Sequence, residues 1–152
     1  MPISRIPGEG LDTGSSGVAP SNLSTGAPSW DGSGNLSFNS GYGSNGVAYG
    51  CRAWVNFDGT TNVGGFCTVR ASGNVTTVAD NGTGDYTINF TNAMPDANYA
   101  TNVTPQATAL NTGLMGCLKH SSTPTTSAVR VSVNAIDAGF RDSTYVLVSV
   151  FR

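Results

Sequence analysis

One stretch, Gly73 to Ala100, reading GNVTTVADNGTGDYTINFTNAMPDANYA, limits the possible folds more than any other. Two alternating runs flank a polar break. In the first, Val75, Thr77 and Ala79 alternate with Thr76 and Val78; in the second, Tyr86, Ile88 and Phe90 alternate with Thr87 and Asn89. Period-two alternation of β-branched and aromatic residues marks half-buried strands. Between them, Asp80-Asn81-Gly82-Thr83-Gly84-Asp85 supplies residues that tolerate positive φ, so the chain can reverse. The pattern predicts an antiparallel hairpin.

The same reading extends along the chain. It predicts strands at Asn35–Asn39, Val47–Phe57, Gly65–Ala71, Tyr99–Gln106, Leu114–His120, Ala128–Ile136 and Thr144–Arg152. Val47–Phe57 places Ala53, Val55 and Phe57 on one face, opposite Arg52, Trp54 and Asn56. It should pair with Gly65–Ala71 across a turn at Asp58–Gly64. Pro95 cannot donate to a ladder and is expected to carry the chain over a sheet edge. Composition agrees. Lys119 is the single lysine and Glu9 the single glutamate, while 20 of 152 residues are Gly. A chain so poor in helix formers and rich in Thr, Val, Gly and Asn favours strands joined by tight turns. The expected fold is all-β, an antiparallel β-sandwich over residues 31–152.

Residues 1–30 have no regular period. Pro2, Pro7, Pro20 and Pro28 oppose helix and central strand, and a short helix at Ser21–Thr25 is only weakly supported. The spaced apolar residues Ile3, Ile6, Leu11 and Trp30 suit an extended arm that orders against a partner; a disordered tail is the alternative. In the closing run TYVLVSVFR, Val146, Val148 and Val150 fill one face, and Tyr145, Leu147 and Phe151 largely fill the other. An antiparallel strand at a monomer surface should have one polar face. Either the valines or the opposite face is therefore expected to meet another copy of the chain, unless the strand is central and covered on both sides within one chain.

No residue set stands out for catalysis. His120, the single histidine, has no carboxylate or cysteine at ligand spacing and reads as a surface residue. Asp80, Asp85, Asp96, Asp137 and Asp142 all fall in expected turns, where such side chains bond the local backbone. The loop at residues 40–46 is Gly-rich but lacks the helix start of a phosphate cradle. Cys51, Cys67 and Cys117 read as buried free thiols, with a Cys51–Cys67 bridge or a metal site as the alternative, though no CxxC or His-x-His spacing supports metal. No cofactor or metal is expected. The Asn-x-Thr matches at Asn74, Asn89 and Asn102 read as Thr-rich strand chemistry. A net charge of −2 with scattered arginines offers no nucleic-acid surface, and neither a membrane span nor a signal peptide is evident. With only 11% charged residues, solubility rests on hydroxyls and amides, which suits life inside a larger particle.

Three segments, CRAWVNFDGT (Cys51–Thr60), TVRASGNVTTVADNGTGDYTINF (Thr68–Phe90) and TNAMPDANYA (Thr91–Ala100), resemble the C-terminal domains of tail-fibre and other virion proteins of tailed phages, especially those of marine bacteria and cyanobacteria. The resemblance implies a β-rich, non-enzymatic, usually homotrimeric fibre-tip module. Its localisation would be the virion, assembled in the host cytoplasm. Its partners would be its own copies, other tail or capsid proteins, and a host surface glycan or receptor. The preceding arm of about thirty residues favours a short separate fibre or tip, or a small protein docked by its arm. Receptor contact is expected at the loops Asp58–Val63 and Ala107–Gly113, through Asp58, Thr60, Asn62, Thr108 and Asn111. The alternative is a capsid decoration or cement protein with a purely structural role.

Overall fold

The computed structural model describes residues 29–30, 36–38, 46–107, 113–136 and 138–152. The chain forms two units, divided between Tyr49 and Gly50. In the first, β1 (Ser29–Trp30), β2 (Leu36–Phe38) and β3 (Gly46–Val47) make a small antiparallel sheet. Trp30, expected as the last anchor of the arm, pairs with Leu36 in that sheet. The anchors Ile3, Ile6 and Leu11 and the weak helix at 21–25 lie outside the described residues.

In the second unit the described strands are all antiparallel, and no helix accompanies them. They are β4 (Cys51–Val63), β5 (Phe66–Gly73), β6 (Val75–Asp80), β7 (Asp85–Phe90), β8 (Ala100–Pro105), β9 (Leu114–Leu118), β10 (Ala128–Ala135), β11 (Gly139–Phe140) and β12 (Val146–Phe151). They join in one sheet in the order β11-β10-β7-β6-β5-β4-β12-β8, with β9 on the other side of β10. The sheet curls into a half-barrel and brings β9 against β8. Gly116 permits that approach, because a Cβ there would lie 2.4 Å from Val103 Cγ1 and 2.6 Å from the Val103 carbonyl oxygen.

The concave side holds the core. Ala53, Val55 and Phe57 of β4 face Tyr86 and Ile88 of β7, Val129, Val131 and Val133 of β10, and Val146, Val148 and Val150 of β12, all buried. These three β12 valines were candidates for contact between copies. Their complete burial in the subunit's own core removes them from that role and leaves the opposite face of β12 open. The segment after β7 plugs one end of the core. Met94 is buried there, and Tyr99 packs edge-on against Phe90 while its hydroxyl donates to the Thr125 or Ala128 carbonyl.

The central hairpin appears as expected, with β6 and β7 joined through residues 81–84 and positive φ at Gly82 and Gly84. One detail differs. The β6–β7 register shifts between Val75 and Thr77. This bulge adds a residue, so Val75 and Val78 both point into the core despite their odd spacing. A second shift, opposite Asn56 and Phe57, leaves Arg70 of β5 without a register partner on β4; Cys67 is buried and Ala71 is exposed. The turn expected at Asp58–Gly64 is also shorter. β4 continues to Val63, and Gly64 and Gly65 alone reverse the chain at positive φ.

All three cysteines are free, but only Cys67 is buried; Cys51 and Cys117 are exposed. They lie on strand faces that turn away from the core, a distinction an apolar neighbourhood in sequence does not make. Burial, with nearby Asp80, Asp142 and Asp58, pushes the Cys67 thiol up to about 12. It therefore stays protonated and unreactive at neutral pH.

The aspartates divide. Asp80 and Asp96 each accept from a local amide, Gly82 and Asn98, and each also takes a remote partner, the Asn62 side chain and the Arg152 guanidinium. Asp142 instead accepts from the Gly84 amide at 2.7 Å and from the Tyr86 hydroxyl at 2.8 Å, far from it in sequence. Asp85 is 7% exposed and binds Arg130 through both oxygens, at 2.7 and 3.0 Å, with the Lys119 ammonium 2.8 Å away. Burial alone would raise its carboxyl. The Arg130 and Lys119 hydrogen bonds and charges outweigh that and hold it below the ordinary carboxylate value.

Two outcomes follow from this packing. Gly116→Val should force β9 away from β8 and lower stability by about 1–3 kcal/mol, seen as a lower urea midpoint with an unchanged slope. For Asp85, the folded pKa lies below the unfolded value of about 3.9. Its stabilisation is complete above that value and is lost as pH falls through the lower folded one. Urea midpoints of Asp85→Asn should therefore be lower than wild type near neutrality and fall less steeply below about pH 4.

Candidate functional site

Alternation along β4, β12 and β8 sends every second side chain to the convex side of the sheet. Because register is shared across the three strands, these side chains fall into two rows. Trp54 pairs with Ser149, which pairs with Asn102; Asn56 pairs with Leu147, which pairs with Thr104. Together they line a groove of about 390 Å³, with Val55 and Val148 beneath. Trp54 is 44% exposed and Leu147 46%. The Asn56 side-chain oxygen is buried and has no hydrogen-bond partner.

The indole has a prepared seat. Trp54 lies opposite Gly73 of β5, and a Cβ at that position would sit 2.4 Å from Trp54 Nε1 and 2.9 Å from Cδ1. Only the bare glycine backbone lets the ring lie this close to the sheet. No charged residue lines the groove. Near the same strands, Arg70 stacks over the Tyr145 ring at 4.0 Å and pairs with Asp58 at 2.7 Å. Hydrogen bonds from the Thr60 side chain, its amide and Arg70, with the Arg70 charge, hold the Asp58 carboxyl below its usual value, against a desolvation that would raise it.

The residues expected in receptor loops lie differently. Asp58, Thr60 and Asn62 belong to β4 itself, where the strand outruns the expected turn. Asp58 is engaged as above, and Asn62 donates to Asp80 and accepts from the Gly65 amide, clasping the hairpin end. Their polar atoms serve the chain's own fold. Thr108 and Asn111 lie outside the described residues. The groove was missed in the sequence because its rows join β4 to β12 and β8, which are remote along the chain. Its only local signal was the exposed-face position of Trp54 and Asn56. His120 is exposed, with Nδ1 2.9 Å from the Ser121 hydroxyl. Among the described residues no group of three or more His, Cys, Asp or Glu could hold a metal ion, and no helix is long and apolar enough to cross a membrane.

A second apolar surface lies on the convex side of β9–β10–β11. Asn134 pairs with Met115 on one side and Phe140 on the other, and Ile136, two residues further along, is 73% exposed. Lys119 sits 3.7 Å above the Phe140 ring. Comparison of the chain with family models, with curated proteins and with solved structures returns no match in any of the three.

The seating of Trp54 is open to direct test. Gly73→Ala should displace the indole while the β-sheet circular dichroism persists. In a Trp30→Phe background, Trp54 emission should shift to the red and become more accessible to acrylamide.

Proposed function

We propose that the protein is a structural component of a phage virion, a tail-fibre or fibre-tip module that assembles as a homotrimer, is attached through its N-terminal arm and meets the host surface. The segments that resemble phage fibre proteins coincide with β4–β7 and the Met94–Tyr99 plug, which together supply much of the core. The sandwich expected for such modules would be completed by neighbouring copies covering the curled sheet.

The observation that carries the assembly is the exposed apolar surface of Met115, Ile136 and Phe140 on a chain with so few charges. Monomers seldom leave such side chains together in water, and interface centres are depleted in charge and enriched in aromatics and Met. A three-fold ring needs two different surfaces on each copy, since a self-complementary patch yields only a dimer. The tip of the β4–β5 hairpin supplies the second, where the paired Val63 and Phe66 are both exposed. The arm anchors Ile3, Ile6 and Leu11 fasten the trimer to another virion protein. Trp30, being part of β1, marks where the arm joins the first small sheet.

Light scattering should give a trimer for the full chain, and Ile136→Lys or Val63→Lys should give folded monomers. A wild-type monomer overturns the assembly. A chain beginning at Ser29 should remain a trimer but no longer enter particles. Incorporation at capsid positions instead of the tail would identify a decoration protein.

A further inference from the structure

The geometry points to the β4–β12–β8 groove as a binding site for a neutral saccharide. This rests on the reading of the protein as a module that meets a host surface, and it supplies the site and the ligand class. Three properties of the groove define its occupant. Trp54 and Leu147 offer apolar surface, about half of it open, and Gly73 leaves the room in which the indole lies close to the β5 backbone. Asn102, Thr104 and Ser149 bring one amide and two hydroxyls to the same opening. Asn56 lines the same groove, and its side-chain oxygen is buried without a hydrogen-bond partner among the protein's own groups.

The occupant must therefore present an apolar face to an indole and hydrogen-bond donors along its edge. It must also carry no net charge, since no cation or anion lines the groove and the nearby Arg70 is already held by Asp58 and Tyr145. A pyranose meets all three conditions: C–H bonds on one face, hydroxyls around the rim and no formal charge. The groove's size falls within the range of small-molecule sites. The apolar Met115–Ile136–Phe140 surface differs in kind: its polar neighbours are engaged, Asn134 with Cys117 and Ser132 and Lys119 with Asp85, and it suits contact between copies.

Saturation-transfer NMR on the full chain, with methyl glycosides of glucose, galactose, mannose, rhamnose and N-acetylglucosamine and with maltotriose and cellotriose, tests this. At least one sugar should show saturable transfer that Trp54→Ala weakens by about tenfold or more. Asn56→Leu separates binding from folding. It removes the unpaired oxygen, so the urea midpoint should hold or rise while sugar binding is lost. The inference is overturned if no sugar in the panel binds, or if binding survives both substitutions. It is equally overturned if the groove is occluded by another copy, seen as concentration-dependent protection of Trp54 from acrylamide in the Trp30→Phe background without sugar. A trimer that enters particles but binds none of these sugars would sink the groove assignment and leave the virion reading standing; a sugar-binding monomer would do the reverse.

Discussion

β12 hydrogen-bonds on both sides, to β4 from Val146 to Phe151 and to β8 over the same residues. Its inner valines close the core against β4, β7 and β10, and its outer side chains complete the two rows of the groove. Without β12, β4 and β8 would each present an unpaired edge, the curled sheet would lose one wall, and Trp54 and Asn102 would share no surface. The apolar character of both its faces is thus a consequence of its position. One face is committed to the interior and the other to a surface that the fold leaves open.

The opposite wall depends on polar links of long reach. The Tyr86 ring is fully buried, packed edge-on against Phe57 at 5.0 Å, with its hydroxyl within hydrogen-bond distance of the Gly59 carbonyl and Asp142. Burial, with the Asp142 contact, pushes the phenol well above its usual value, so it remains a neutral donor. Asp142 also holds the Gly84 amide, and thus the central turn. Next to it, Asp85 gathers Arg130 and the single lysine. A chain with few charges has placed several of them where each ties together strands remote in sequence.

Much of the sheet was legible in the sequence. The alternations of Tyr86-Ile88-Phe90, Val129-Val131-Val133 and Ala53-Val55-Phe57 translate directly into buried faces. Asn81-Gly82 and Gly84 translate into the reversal between β6 and β7. Period-two reasoning failed where the period itself was broken. The bulge after Val75 puts Val78 on the same side, and the one at Arg70 exposes Ala71. Local turn chemistry accounts for the Gly82 and Asn98 contacts of Asp80 and Asp96 but could not anticipate their links to Asn62 and Arg152, nor the partners of Asp85 and Asp142, all remote in sequence. The groove was the least legible feature. Trp54 and Asn56 are visible as the outer side of β4, but Leu147, Ser149, Asn102 and Thr104 join them only through the strand order.

That strand order also sets a schedule. β4 through β7 form a meander of neighbours that can zip up soon after they leave the ribosome. β4 and β8, however, must wait for β12, which is separated from β4 by most of the domain. Closing so long an interval costs chain entropy before any contact repays it, and such topologies fold slowly. During that interval the inner side of β4, with Val55 and Phe57, lies open beside an unpaired edge. Nascent chains would then be most prone to mispairing with one another, and a chaperone would have most to cover.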